Sequence, residues 1–256
     1  MKKNISSICV ILGLVIVMGC ATLQKDAMSA DEPVVIQKAY ICLQATTPIE
    51  IDGKLNEVAW QQADVIDKFY PYKPEDAKIL SGTKARIAWD KNYLYVAIEC
   101  DDDDIWSYSD KPDDLLWLGD VAEFFVKPST SMPAYCEFVV SPGGALFDAR
   151  YPSRGVGGYH RFKNWSSKAK VATTVNGTDD NWKDTDTGYV VEMAIPFSAF
   201  SDITKHPVAG DSWTFGVFRY DFSKSFEDPL LMMSIPESKK SGYHYYEGYT
   251  PLIFRD

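Results

Sequence analysis

Glu123 is the residue whose surroundings in the sequence most suggest ligand chemistry. It interrupts the otherwise apolar run Val121–Val126, so its carboxylate either faces water or is buried with a partner. A carboxylate in such a position accepts hydrogen bonds from ligand hydroxyl groups. The plainer interpretation is a glutamate on a solvent-facing side of a strand, since Glu99, Glu137 and Glu192 occupy similar positions.

Trp117 precedes this run, in an irregular segment that follows Lys111–Asp114. A flat aromatic ring on a loop is suited to cover the apolar face of a ligand. The alternative is a structural one, in which the indole ring is a lid over the edge of the fold.

Two acidic stretches offer oxygen ligands of the kind that calcium prefers. The first is the run of four carboxylates Asp101, Asp102, Asp103 and Asp104, and the second contains Asp179, Asp180, Asp184 and Asp186. Neither has the spacing of an EF-hand loop. Acidic runs are also common in solvated loops, so the spacing alone does not assign a metal.

The N-terminus predicts export and lipid attachment. Lys2 and Lys3 precede the apolar segment Ile8–Met18, and Val17-Met18-Gly19-Cys20 resembles a bacterial lipobox. We therefore expect residues 1–19 to be a lipoprotein signal peptide, Cys20 to carry lipid and residues 20–38 to form a tether. Ala21 favours sorting to an outer membrane where the host has one. An ordinary cleaved signal or an uncleaved anchor helix is the alternative.

Three further cysteines, Cys42, Cys100 and Cys136, allow at most one disulfide, and burial as a small apolar side chain is the simpler interpretation for at least one of them. No cysteine or histidine spacing indicates zinc. The net charge of -10 disfavours nucleic acid as a partner, because an acidic surface repels phosphate.

Residues 39–256 show the period-two alternation of β-strands and are predicted to form one domain. Alternating runs separated by turn residues indicate an all-β, antiparallel sandwich with one or two short helices. Residues 55–63 and 196–200 are the helical candidates. The predicted strands lie at residues 86–89, 93–99, 121–126, 135–140, 189–195 and 213–218.

Five segments in order resemble motifs of the family 9 carbohydrate-binding modules. They are Ile51-Asp52-Gly53-Lys54-Leu55-Asn56-Glu57-Val58-Ala59-Trp60, Ala88-Trp89-Asp90-Lys91-Asn92-Tyr93-Leu94-Tyr95-Val96-Ala97, Trp117-Leu118-Gly119-Asp120-Val121-Ala122-Glu123-Phe124-Phe125-Val126, Asp186-Thr187-Gly188-Tyr189-Val190-Val191-Glu192-Met193-Ala194-Ile195-Pro196 and Tyr243-His244-Tyr245-Tyr246-Glu247-Gly248-Tyr249.

The resemblance implies a jelly-roll-like, immunoglobulin-like two-sheet sandwich that binds xylan- or glucan-type saccharides without cutting them. It also implies association with polysaccharide-degrading enzymes and a structural calcium ion, for which Asp101–Asp104 are the candidates. By this resemblance, Trp117 is one wall of a sugar site and Glu123 a hydroxyl acceptor. We expect a monomeric module that requires no other cofactor.

The sequence departs from the family at two site positions. The region of the second wall offers Tyr243 and His244 but no tryptophan, and Val139 stands where sugar-binding members have an arginine. A substitute donor is expected near the glycine-rich loop Gly155–Gly158. Its flanking candidates are Arg150, Arg154, His160 and Arg161, followed by Trp165, and a solvated loop is the alternative.

Three other functions remain open from the sequence. One is a structural surface lipoprotein whose sugar site is vestigial. A glycosidase needs two carboxylates across a cleft, and no motif places such a pair. The wider superfamily includes DOMON-type domains, some of which bind haem. Haem needs axial ligands, for which Met232, Met233, His160, His206 and His244 are available without a diagnostic spacing.

Overall fold

The structure is a computed structural model that describes residues 38–78, 81–156, 158–162, 164–226, 228–235 and 242–256. The predicted signal peptide, the lipidation residue Cys20 and nearly all of the predicted tether lie outside these residues. Within the part of the chain that is described, no helix is both long and apolar enough to cross a membrane.

Most of the regular secondary structure in the described residues is β-strand. The strands are β1 (Tyr40–Gln44), β2 (Tyr70–Pro71), β3 (Thr83–Trp89), β4 (Tyr93–Cys100), β5 (Val121–Lys127), β6 (Tyr135–Val140), β7 (Leu146–Tyr151), β8 (Lys170–Asn176), β9 (Gly188–Pro196), β10 (Ser212–Asp221), β11 (Leu230–Met233) and β12 (Thr250–Arg255). One short helix, α1 (Val58–Gln62), precedes β2, and a 3-10 turn covers Phe197–Phe200.

Two layers of strands pack face to face around the main core. From the β3–β4–β9 half, Ile87, Val96 and Met193 point into this core, and from the β5–β6–β10 half so do Phe124 and Phe138. Alternate residues of each strand therefore form the interior, as the period-two pattern predicted. The predicted all-β sandwich with few helices is confirmed.

The sheet order is β7-β6-β5-β10-β12-β1-β3-β4-β9-β8, with β11 and β2 added beside β10. Most neighbours are antiparallel, but β1 pairs in parallel with both β12 and β3. The prediction of a purely antiparallel sandwich is wrong at this strand. The neighbours of β1 are not joined to it by hairpins, so local turn signals could not reveal their direction.

Glu192 explains why two of the sequence motifs occur together. Its carboxylate accepts hydrogen bonds from the Trp60 indole N–H at 2.9 Å and from the backbone N–H groups of Asp52 and Gly53, each at 3.0 Å. Gly53 has φ +78, and a Cβ there would lie 2.7 Å from the Thr173 backbone. The motifs around residues 52 and 192 are therefore scaffold that secures the N-terminal segment to β9.

The cysteines Cys42, Cys100 and Cys136 are buried and free. Burial raises the pKa of the Cys42 and Cys100 thiols, the latter to about 11. They are neutral packing groups in the core, as the simpler interpretation proposed.

Candidate functional site

The outer face of β5, β6, β7 and β10 carries a cavity of about 600 Å³. Because side chains alternate along a strand, the residues beside the core-facing Phe124 and Phe138 point to this second face. Residues 153–156, 158 and 242–244, together with Tyr72 and Trp117, complete the wall. We call this space the aromatic cavity, after its lining rings Tyr72, Trp117, Phe125, Tyr135, Tyr151, Tyr220 and Tyr243.

Glu123 points into the aromatic cavity from β5. Only 3% of its surface is exposed, and among the described residues no hydrogen bond reaches its carboxyl group. Burial, and next the neighbouring Glu137, raise the pKa of Glu123 well above its ordinary value. A buried carboxyl group without a protein partner is an unmet hydrogen-bonding capacity that a ligand can satisfy.

Glu137 lies beside Glu123 on β6 and also lines the cavity. The pairs Glu123↔Val139 and Phe125↔Glu137 make the two glutamates diagonal neighbours on one face, roughly 7 Å apart at their Cα atoms. The Tyr151 hydroxyl donates to Glu137 at 2.6 Å. Burial raises the pKa of Glu137 to about 7, although the bond from Tyr151 opposes this. The solvent-facing interpretation of Glu137 is wrong.

Trp117 lines the cavity from a short 3-10 turn before β5, half-buried and perpendicular to Phe147 at 5.2 Å between ring centroids. Tyr243 also lines the cavity, but its ring is stacked on Phe218 at 4.2 Å. That stacking occupies one face of the Tyr243 ring. The half-buried rings of Tyr72 and Tyr220 are further candidates for a wall opposite Trp117.

His244 lines the cavity and makes a 2.8 Å hydrogen bond through Nδ1 with the Tyr135 hydroxyl. Desolvation lowers the pKa of His244, so the ring is neutral near pH 7. The hydroxyl groups of Tyr135 and Tyr151 and the carboxyl groups of Glu123 and Glu137 therefore form a cluster of polar atoms in a wall that is otherwise aromatic.

Arg154 is the arginine that lines the cavity, whereas Arg150 and Trp165 do not. Arg150 lies on the opposite side of β7 from Tyr151, where it bonds Asp202 at 2.9 Å and covers the Trp165 ring. Trp165 packs against the main core. The structure therefore does not bring Arg150 and Trp165 together with the cavity, because strand alternation turns position 150 away from it. His160 and Arg161 also lie outside the lining.

Sequence reasoning missed Glu137, Tyr72, Tyr135, Tyr151 and Tyr220. One signal was available for two of them: Tyr135 and Glu137 occupy alternate positions of β6 and thus share a face. Nothing local indicates Tyr72, which joins the site only through its long-range placement beside β11.

A second, acidic cavity of about 440 Å³ lies at the loop end of the fold and is lined by Asp101, Asp102, Asp103, Asp186 and Asp221. Oxygens of Asp102, Asp103 and Asp104 lie within 4.8 Å of one another. Asp104 Oδ1 is buried without a hydrogen-bond partner. An all-oxygen donor set with one unmatched buried oxygen fits a calcium ion. Asp101 also lines the acidic cavity, but it is not part of the cluster of Asp102, Asp103 and Asp104.

The described residues do not bring together an axial pair for haem. His206 bonds backbone carbonyls of Pro207 and Lys91, His244 bonds Tyr135, and His160 lies outside the aromatic cavity. Met232 and Met233 are buried on β11. The haem alternative therefore gains no geometric support from these residues.

Comparison with known proteins finds the family resemblance in part of the chain and a similar fold over most of it. Residues 51–141 match the family described as carbohydrate family 9 binding domain-like. A search of curated proteins gave no significant match. The fold is similar to that of a protein from Bacteroides uniformis that is proposed to bind carbohydrate, with TM-score 0.68, 13% identity and coverage of 86% of this chain and 100% of that one.

Two structures of a family 9 carbohydrate-binding module from Caldicellulosiruptor kristjanssonii are also similar at 15% identity. The complex with cellotriose has a TM-score of 0.59 and covers 85% of this chain and 94% of that one. The complex with glucose has a TM-score of 0.58, with 85% and 96% covered.

Proposed function

We propose that this chain, whose residues 51–141 match the family 9 carbohydrate-binding model, holds a saccharide in the aromatic cavity without cleaving it. The observation that carries the proposal is the buried carboxyl of Glu123, which has no hydrogen bond among the described residues, beside aromatic rings that include Trp117. Sugar rings need such a combination, because their C–H faces pack on aromatic surfaces and their hydroxyl groups donate to polar atoms.

The ligand we propose is a xylan- or glucan-type chain, bound by a monomeric module that acts beside polysaccharide-degrading enzymes. The complexes of the similar module with cellotriose and glucose support a glucan-type ligand. Calorimetric titration with xylo- and cello-oligosaccharides tests the proposal. We expect saturable binding with one site per chain, and no heat of binding with any oligosaccharide would contradict it.

A glycosidase is the second candidate, because Glu123 and Glu137 provide two carboxyl groups in one cavity. Glycoside hydrolysis places its two carboxyl groups on opposite sides of the bond that is cut. Here both groups project from the same face of neighbouring strands, so their placement alone does not distinguish holding a ring from cutting a linkage. Incubation with oligosaccharides labelled at the reducing end separates the two functions, since any turnover supports the enzyme.

We also propose a structural calcium ion held by Asp102, Asp103 and Asp104. Calcium at a hundred times its dissociation constant is expected to raise the melting temperature by about 5–10 °C relative to chelated protein. Differential scanning calorimetry with calcium or EDTA measures this shift. Asp103→Asn, at an exposed position, should reduce the shift, and an unchanged shift in that variant would remove the proposed site.

We propose in addition that a lipid on Cys20 anchors the chain to a cell membrane, the outer one where the host has two. The lipobox-like segment Val17–Cys20 supports this. Cys20→Ser is expected to move the protein from the membrane fraction to the soluble fraction. Equal membrane association of the variant and the wild type would contradict lipid attachment at this residue.

A further inference from the structure

We propose that the aromatic cavity prefers a sugar that carries a protonated amine over the same sugar with a hydroxyl group at that position. This inference rests on the proposed saccharide function and specifies its ligand class. The ligand is a β-linked hexose chain of the glucosamine type, in which an ammonium group meets the carboxyl groups of Glu123 and Glu137.

The first argument is the charge balance of the carboxyl pair. Both glutamates are at least 94% buried on one face of adjacent strands. The groups that contact them among the described residues are neutral or carry a negative charge. The hydroxyl of Tyr151 donates to Glu137, but a hydroxyl brings no compensating charge. Two buried acids without a cation are a costly arrangement that a cationic ligand relieves.

The second argument is what the nearby basic side chains already do. Arg154, in the cavity wall, forms an ion pair with Glu247 and lies over the rings of Tyr245 and Tyr246. Lys127, farther along β5, donates to the Ser129 carbonyl. His244 is neutral near pH 7 because desolvation lowers its pKa. Within the described residues, these groups leave the glutamate pair without an adjacent positive charge.

The third argument is the character of the remaining wall. The wall around the pair carries the phenols of Tyr135, Tyr151, Tyr220 and Tyr243, whose pKa values are raised by burial, so they are uncharged near pH 7. The pKa of Tyr220 is raised by burial and then by Glu123 and Glu137. Aromatic faces attract ammonium groups through their quadrupoles. Carboxyl groups within an aromatic wall therefore favour an amine both through their charge and through the neighbouring ring faces.

The inference predicts a pH dependence with a defined sign. An ammonium group binds ionised carboxyl groups, and the pKa of Glu137 is about 7, with that of Glu123 also raised. Lowering the pH from about 7 to about 5 protonates Glu137, so the preference for the amine should decline. Binding of a neutral oligosaccharide should change less over the same range.

The experiment compares trimers of glucosamine, N-acetylglucosamine and glucose by calorimetric titration at pH 7 and pH 5. We expect the glucosamine trimer to bind about tenfold more tightly than cellotriose at pH 7, as suits a charged hydrogen bond. The acetylated trimer, which lacks the positive charge, should not share this advantage. Glu123→Gln with Glu137→Gln keeps the shape and is expected to abolish the preference.

Glu75→Gln removes one negative charge at an exposed site and is the matched control. Cellotriose binding with no preference for the glucosamine trimer would overturn this inference and leave the proposed function standing. Absence of binding for all trimers would overturn both. A preference that survives in the double variant, with unfolding midpoints equal to wild type, would also overturn the role of the glutamates.

Discussion

Trp117→Ala is expected to weaken saccharide binding about 30-fold, which corresponds to the loss of a binding hot spot worth about 2 kcal/mol. The indole ring lines the aromatic cavity and is half-buried, so the substitution removes contact area on the ligand side. Isothermal titration with the oligosaccharide that binds the wild type most tightly measures the change.

Trp182→Ala is the matched control for this prediction. Trp182 is 38% exposed, contacts Trp106 and does not line the aromatic cavity. We expect the control to bind saccharide as the wild type does. Equal affinity of Trp117→Ala and the wild type would show that the ligand binds elsewhere on the molecule.

Arg219→Met is expected to lower the free energy of unfolding by about 3–5 kcal/mol, which corresponds to a melting temperature roughly 10 °C lower. Arg219 is fully buried and donates to Asp102 at 2.9 Å, with Asp221 at 3.4 Å. Asp120 lies in the same carboxylate cluster. Without the guanidinium group, three buried acids share the space, and removing the cation costs more than the ion pair contributed. Thermal unfolding followed by circular dichroism measures the loss.

The stability that Arg219→Met loses should depend on pH. Burial raises the pKa of Asp102 to about 6, with Arg219 opposing the rise, and burial also raises the pKa of Asp120 and Asp221. When the pKa of a carboxyl group is higher in the folded protein than in the unfolded one, the protein loses stability as the pH rises from the unfolded-state pKa through the folded-state pKa. The deficit of Arg219→Met should therefore be larger at pH 8 than at pH 5.

Arg86→Met, which breaks a partly exposed pair with Glu99, is the control and should cost less than about 1 kcal/mol. Similar melting temperatures for the two variants would refute a central role for the buried cluster. Arg219→Lys keeps the charge and should recover part of the stability.

The strands could be predicted from the sequence because their signal is local. The strand predicted at residues 135–140 begins and ends where it was predicted. The strands predicted at 93–99 and 121–126 are each one residue longer in the structure. Alternation also determines which side chains share a face. The parallel pairing of β1 could not be predicted, since it joins residues far apart in the chain.

The candidate site was predictable only in part. Trp117, Glu123, Tyr243 and His244 meet in one cavity, as the resemblance implied for these positions. Arg150 does not line this cavity, because side chains alternate along β7 and its side chain lies on the other face, where it pairs with Asp202. The placement of Glu137 beside Glu123 depends on the register of β5 against β6. That register is set by the tertiary structure and could not be predicted from the local sequence.

The central claim is that saccharide binds in the aromatic cavity, and the indole N–H signals of the tryptophans test it most directly. The chain has seven tryptophans. Trp60 and Trp89 donate their indole N–H groups to Glu192 and to the Arg255 carbonyl, respectively, away from the cavity lining. During titration with cellotriose, the Trp117 indole signal should shift progressively while those of Trp60 and Trp89 stay in place. Saturable binding by calorimetry with an unmoved Trp117 signal would contradict the account.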